Sequence, residues 1–313
     1  MISNGLNKWL HLFTWLPSLL CAADMPEFTA ALHEWEAEMA KPGQPAARDL
    51  PEVVRRILAL EPSERDAAQS TTLAEFFRAQ QDRVAAARIT RGETVRTRFQ
   101  KAGLPYPPRE IFLRAFKHEG ELELWAREQD DAFRLVASYR VTARSGGPGP
   151  KRREGDRQVP EGCYVINAFN PKSRFHLSLG LDYPNAADRV LADPKRPGGE
   201  IYIHGSDQTI GCLPLGNPAI EELYLTALDT RARGPSTIHV HIFPACMTGP
   251  SWTEFVQRET ASRPELRAFW DELQPIHDAF ERTRLRPRVS ITAEGHYRIP
   301  PSGNPKFQEP NSK

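Results

Sequence analysis

Two residues in this chain of 313 stand at a spacing suited to covalent chemistry, His204 and Cys212. They belong to the run Glu200-Ile-Tyr-Ile-His204-Gly205-Ser206-Asp-Gln-Thr209-Ile210-Gly211-Cys212-Leu-Pro214-Leu215. A cysteine is the strongest nucleophile among side chains at neutral pH, but only as thiolate. A histidine nearby can take its proton, and a glycine just before the cysteine lets backbone approach a reacting carbonyl. Backbone N–H groups in such a turn can bind an oxyanion. Taken alone, a His and a Cys at this spacing are more often structural than catalytic, because local signatures of this kind do not transfer between families.

The elements that must position the pair are legible from periodicity. Residues 200–204 read as a strand ending in the His-Gly, and Asn217-Pro218 reads as the N-cap and first turn of a helix running to Leu228. Upstream, Ile111, Leu113, Ala115 and then Leu122, Leu124 alternate around His118-Glu-Gly120, which predicts a hairpin. Phe133–Val141, Cys163–Asn167, Phe175–Leu181 and Thr237–Phe243 are further strands. Residues 51–102 have helical spacing, closed by Gly103-Leu-Pro-Tyr-Pro-Pro108. After Pro250 the period is helical again. Ser251-Trp-Thr-Glu254 and Ser262-Arg-Pro-Glu265 fit the capping box. Leu266, Phe269, Trp270, Leu273, Ile276 and Phe280 make one apolar stripe for docking on the sheet. Val289-Ser-Ile291 and His296–Ile299 suggest a last hairpin before a Pro-rich tail.

The His-Gly and Gly-Cys elements, Ile203-His204-Gly205 and Thr209-Ile210-Gly211-Cys212, resemble the active-site motif of the YkuD-type L,D-transpeptidases. The flanks Gly149-Pro-Lys151 through Tyr164, and Phe175-His176-Leu-Ser-Leu through Asp182-Tyr-Pro-Asn185-Ala-Ala-Asp188-Arg189, resemble the family's neighbouring loop, strand and turn. The Val240–Pro244 strand resembles that of the YafK-like branch. The resemblance spans about residues 108–295. It implies an α+β fold, with a mostly β catalytic domain (a mixed β sandwich), a helical N-terminal region and a C-terminal helix packed on it. It places the catalytic domain over 108–248; the residues themselves add a signal peptide over 1–23, a helical region over 24–107, a helical extension with a hairpin over 249–299 and a flexible tail over 300–313. The implied chemistry is attack by Cys212 on a peptidoglycan stem-peptide amide next to meso-diaminopimelate, with His204 as base. The Gly205 carbonyl would orient the imidazole, and the Gly211 and Cys212 N–H groups would hold the oxyanion. Ser206, Thr209, His176 and Asn185 are candidates for lining the substrate cleft. No metal or organic cofactor is implied. Two positions depart from the family's main branch: Ile210 stands where it has a second His, and Pro214 where it has an Arg that reads substrate carboxylate. Hydrolysis, including amidase release of a murein-linked lipoprotein, therefore weighs equally with transpeptidation.

Composition sets the outer limits. With 41 Lys+Arg against 40 Asp+Glu, no global basic field draws in nucleic acid. Lys8 precedes an apolar run from Trp9 to Ala23, too short to span a bilayer and ending in small residues, which predicts a cleaved export signal and a periplasmic location. Cleavage removes Lys8 and Cys21, leaving three cysteines. Cys163 and Cys246 are a candidate disulfide, with Cys212 the free thiol. Lys151-Arg-Arg153 reads as a solvated loop near an acidic wall substrate. Two rival readings remain: a zinc peptidase using His204, Asp207 and His239 or His241, and a non-catalytic wall-binding protein.

Overall fold

A computed structural model describes residues 82–234 and 236–300, with isolated helical positions at 67, 70, 71, 74 and 75. The export signal, most of the 24–81 region and the tail lie outside the described residues. The chain divides into two units, Met1–Glu93 and Thr94–Lys313. In the first, the described residues are helical positions.

Helix α1 (Arg83–Lys101) runs across the division. Its N-cap is Asp82, whose carboxylate accepts the Ala85 N–H at 3.0 Å. It ends at Gly103, whose φ of +67° lets the Leu104 N–H return to the Phe99 carbonyl.

The second unit is built on one mixed sheet of eight strands. In chain order they are β1 (Glu110–Phe116), β2 (Glu121–Arg127), β3 (Arg134–Arg140), β4 (Gly162–Asn170), β5 (Ser178–Leu181), β6 (Tyr202–His204), β7 (Leu213–Pro214) and β8 (His239–Phe243). Spatially they run β3-β2-β1-β8-β4-β5-β6-β7, with β1–β8 and β6–β7 parallel and the other neighbours antiparallel. The helices are α2 (Ala186–Leu191), α3 (Asn217–Arg233), α4 (Gly249–Thr260) and α5 (Glu265–Thr283). A small hairpin, β9 (Ser290–Ile291) with β10 (Tyr297–Arg298), closes the described chain. The α+β class and the predicted strands hold.

The alternation read in β1 is incomplete. Ile111, Leu113 and Ala115 are buried, but so are Phe112, Arg114 and Phe116. The second face is covered by α5: Phe112 meets the Phe280 ring edge-on at 5.2 Å, and the Arg114 guanidinium lies 2.7 Å from Glu281. A strand covered on both faces loses its period-two signature. The apolar stripe of α5 is buried as predicted, Leu266 to Ile276 in one core with Phe116, Phe243 and Tyr297, and Phe280 in a second with Phe112, Trp125 and Phe133.

Neither predicted capping box forms. Helix α4 begins at Gly249, so Ser251 falls inside it, and α5 has Pro264 at its N-cap with no side-chain bond. The box that does form is Asn185–Asp188 on α2. Asn217 is also not a cap: α3 starts at Asn217 itself behind Gly216, whose φ is +76°, and its side chain is used elsewhere.

A buried polar cluster ties α5 to the loop ahead of β4. Glu161 is fully buried. One of its oxygens accepts the Lys117 ammonium at 2.9 Å and the Gly149 N–H at 2.8 Å; the other accepts the Trp270 indole N–H at 2.8 Å. Lys117 also donates to the carbonyls of Gly149 and Val159, both at 2.8 Å. Burial, with a smaller push from Arg263, pulls the Lys117 ammonium below its ordinary range, and Glu161 opposes that. Glu161→Ala strands this ammonium, so it should destabilise the protein by about 3–5 kcal/mol in urea unfolding; a loss under about 1 kcal/mol would show that the cluster does not hold the fold.

Candidate active site

The parallel pairing of β6 with β7 sets the relation of His204 to Cys212. Ile203 lies opposite Leu213 and His204 opposite Pro214, so Cys212 enters β7 one residue before Leu213. The Tyr202 N–H, two residues before His204, donates to the Cys212 Sγ at 3.4 Å. The thiol donates in turn to the Glu200 carbonyl at 3.5 Å. Side chains two residues apart on a strand share a face, so the side chains of Tyr202, whose N–H reaches the thiol, and of His204 project from the same face of β6.

His204 is 1% exposed, and its ring lies 4.7 Å from that of Phe175. Its Nδ1 is 2.5 Å from the Gly205 carbonyl oxygen. A carbonyl only accepts, so Nδ1 carries the hydrogen and Nε2 presents its lone pair. Burial lowers the imidazole pKa, with the Gly205 carbonyl opposing. Burial likewise raises the Cys212 pKa, and the Glu200 charge adds to this, while the Tyr202 N–H and Lys151 oppose it. The resting pair is therefore neutral imidazole and protonated thiol, not an ion pair.

Gly205 has no room for a side chain: a Cβ there would lie 2.6 Å from Asn217 Oδ1 and 2.8 Å from the Phe175 carbonyl oxygen. Asn217 is a positioning residue that sequence reasoning read as a cap. Its Oδ1 accepts the Ser206 N–H at 2.9 Å and so fixes the turn after His204. The signal was present in its place, 13 residues after a strand-borne His, but the Asn-Pro pair has a simpler helix-start reading.

The turn before Cys212 is organised by Thr209. Its hydroxyl oxygen accepts the Cys212 N–H at 2.8 Å and the Gly211 N–H at 3.1 Å, and it donates to the Cys212 carbonyl at 2.8 Å. The two N–H groups expected to face an oxyanion are thus satisfied by the protein's own hydroxyl. Gly211 has φ of +139°, and the Gln158 carbonyl oxygen lies 3.0 Å from where its Cβ would be.

The remaining candidates separate. Ser206, at φ +63°, stays half-buried with its hydroxyl 3.4 Å from Asp207. His176, at φ +74°, packs next to Gly205 and bonds Glu221 at 2.8 Å. Asn185 does not line a cleft. It is 2% exposed, caps α2, and donates to the Cys163 carbonyl and the Tyr297 hydroxyl at 2.9 and 2.8 Å. The expected Cys163–Cys246 disulfide is not formed. Both thiols are free, Cys163 inside β4 opposite His241 and Cys246 exposed beyond β8. The basic tripeptide is not a solvated loop. Lys151 is buried on Asp156 at 2.7 Å, and Arg152 pairs with Asp188 at 3.3 Å, which leaves Arg153 exposed. His241 is enclosed by the Phe112 and Phe243 rings, which removes it from any zinc set. Among the described residues, no three His, Cys, Asp or Glu side chains converge as metal ligands. No helix among them is long and apolar enough to cross a membrane.

The family model for the YkuD L,D-transpeptidase catalytic domain matches residues 122–240, the span that holds His204 and Cys212. The chain is 33% identical over 189 residues to YafK of Escherichia coli K12, which carries a provisional L,D-transpeptidase name; the match covers 60% of this chain and 72% of that protein. Among solved structures, the helical cell shape determining protein Pgp2 of Campylobacter jejuni overlaps at 18% identity with a TM-score of 0.36, covering 59% of this chain and 73% of that one. An L,D-transpeptidase from Xylanimonas cellulosilytica overlaps at 14% identity and a TM-score of 0.27, covering 65% of this chain and all of that one.

The neutral state of the pair is measurable. Alkylation of Cys212 by iodoacetamide, followed by peptide mass spectrometry, should accelerate with pH through the ordinary thiol range and beyond. A plateau already reached near pH 6 would instead reveal a preformed thiolate–imidazolium pair.

Proposed function

Because the chain belongs to the YkuD-type L,D-transpeptidase family, we propose that it is a cysteine-dependent enzyme of peptidoglycan remodelling, acylated on Cys212 by a stem peptide. The observation that supports the reading is the β6–β7 pairing, which brings the Gly-Cys segment alongside the strand that carries His204, with the thiol on the Tyr202 N–H and Nδ1 committed to Gly205. On this reading His204 Nε2 takes the thiol proton as the sulfur attacks the amide carbonyl carbon next to diaminopimelate, and returns it to the departing amine. The product is a thioester with Cys212. An amine or a water then attacks that thioester, His204 accepts the attacker's proton, and the thiol is restored. The Gly211 and Cys212 N–H groups serve the oxyanion once the Thr209 hydroxyl rotates off them, so the substrate oxygen replaces a hydrogen-bond acceptor already in place.

Both outcomes, transfer and hydrolysis, belong to the proposal, as does release of a lipoprotein linked to diaminopimelate. Pro214 lies in β7, its carbonyl accepting the Thr142 N–H at 2.9 Å, and it supplies no cation to hold a substrate carboxylate. Ile210, 74% exposed beside the Gly-Cys, offers an apolar rim instead of an ionisable one. A wall substrate and the apolar segment ending at Ala23 together support an exported, periplasmic enzyme with its catalytic domain over 108–248.

Cys212→Ala should abolish covalent labelling by a carbapenem and all product from muropeptides, with the far-UV spectrum unchanged. Labelling that persists in this variant would remove Cys212 from the mechanism. Iodoacetamide should inactivate the wild-type enzyme where EDTA does not; the reverse result would favour the zinc reading. Mass spectrometry of the muropeptide products separates the two outcomes, since cross-linking adds mass and amidase action removes the linked peptide.

A further inference from the structure

Glu200 is placed unusually for a carboxylate. Its backbone carbonyl accepts the nucleophile's own S–H, and its side chain bonds the Tyr202 hydroxyl at 2.8 Å, while the Tyr202 N–H donates to the same sulfur. The two residues thus grip Cys212 through their backbones and carry a joined pair of side chains beside it. The Glu200 side chain is exposed, and among the described residues Tyr202 is its hydrogen-bond partner and no cation pairs with it. The residue also sits at φ +56°, a left-handed conformation that favours glycine, although Gly198 and Gly199 immediately precede it.

For the nucleophile alone this is a poor arrangement. A carboxylate beside a thiol opposes its ionisation, and Glu200 acts in that direction on Cys212. The nearby cation that acts the other way, Lys151, is buried and already committed to Asp156 and to the Arg153 carbonyl. The exposed charge at the sulfur is therefore negative, and its hydroxyl clamp holds one carboxylate oxygen while leaving the other for a ligand.

We propose that Glu200, oriented by Tyr202, is a binding subsite for a primary ammonium group of the peptide that occupies the cleft. This deepens the function proposed above and rests on it for the identity of the peptide, whose diaminopimelate side chain carries such a group. The ammonium also offsets the charge that adds to burial in keeping the thiol protonated, so the same contact that orients the substrate eases loss of the thiol proton. Glu200 is then a specificity-determining residue that makes the site respond to a cationic occupant.

Charge-selective thiol reagents test the subsite independently of turnover. Cys212 is allowed to react with 2-aminoethyl methanethiosulfonate, a cation, and with 2-sulfonatoethyl methanethiosulfonate, an anion, and exposed Cys246 is followed in the same digests as the reference thiol. The cation-to-anion rate ratio at Cys212 should exceed that at Cys246 by about tenfold at low salt and shrink towards it in 1 M salt. Glu200→Gln should abolish the excess. Glu200→Gly, which suits the left-handed backbone, should do the same and guards against a folding defect. An excess that survives both variants, or is absent from the wild type, overturns the proposal. A second arm compares stem tetrapeptides with a free or an acetylated side-chain amine. The free amine should lower KM about tenfold in the wild type and give no advantage in Glu200→Gln. A charge preference at Cys212 with no turnover of any stem peptide would keep the ammonium subsite and remove the function; turnover with no preference in either arm would do the opposite.

Discussion

The geometry at Cys212 depends on a carboxylate that never reaches it. Glu161 is buried with Lys117, and each of its two oxygens is met, one by the ammonium and the Gly149 N–H, the other by the Trp270 indole. Burying two charges costs several kcal/mol per ion, which is recovered only when the pair is close and its other hydrogen-bonding capacity is filled. Here Lys117 fills its own by donating to Gly149 and Val159, two points of the loop between β3 and β4. The interior of that loop is gathered by Asp156, which accepts the N–H groups of Arg152, Arg153 and Gln158 and the Lys151 ammonium. The Gln158 carbonyl then abuts Gly211. A chain of satisfied polar groups thus runs from α5 through the loop to the nucleophile's turn.

In the site itself each hydrogen bond that holds His204, Cys212 and their turns has a backbone group on at least one side. Cys212 is bonded through the main chain of Tyr202 and Glu200, His204 through the carbonyl of Gly205, and the Gly-Cys turn through Thr209. Such a frame tolerates left-handed conformations at His176, Glu200 and Ser206, three of the five non-glycine residues with positive φ among the described residues. Strain of this kind persists only where the surroundings over-determine it. Around this site β5, β6, β7 and the start of α3 supply that constraint from several sides. Burial lowers the His204 pKa and raises that of Cys212, so both shifts favour the neutral forms.

What the sequence revealed follows from where each signal resides. The His-Gly and Gly-Cys are local and type-specific, and so are the stripe of α5 and the alternation in β2. Signals that depend on what lies opposite were illegible. Phe112 and Arg114 read as outward until α5 covers them, and Asn185 reads as a cleft residue until Cys163 and Tyr297 occupy its amide. The capping boxes failed for a related reason. A Ser-x-x-Glu fits the motif wherever it falls, but Pro250 and Pro264 fix the helix starts at other residues. Asn217 shows the limit from the other side, because its Oδ1 is drawn to Ser206 by the turn that Gly205 makes possible.

The two departures from the family's main pattern now have a common physical sense. An arginine two residues beyond the cysteine would put a fixed cation on the rim, suited to a carboxylate. In this chain that position is a proline in β7, with its carbonyl bound to Thr142. The position before the Gly-Cys is an exposed isoleucine, which neither titrates nor attracts an anion. What remains beside the sulfur is Glu200, with Asp207 following the His-Gly turn. A rim with negative charge and an apolar edge favours an occupant with an ammonium group on an aliphatic stem, because the stem can lie on Ile210 while the charge meets the carboxylate. On the reading proposed above, a rim without that cation and with Glu200 beside the thiol would hold a substrate by its amine rather than by its acid.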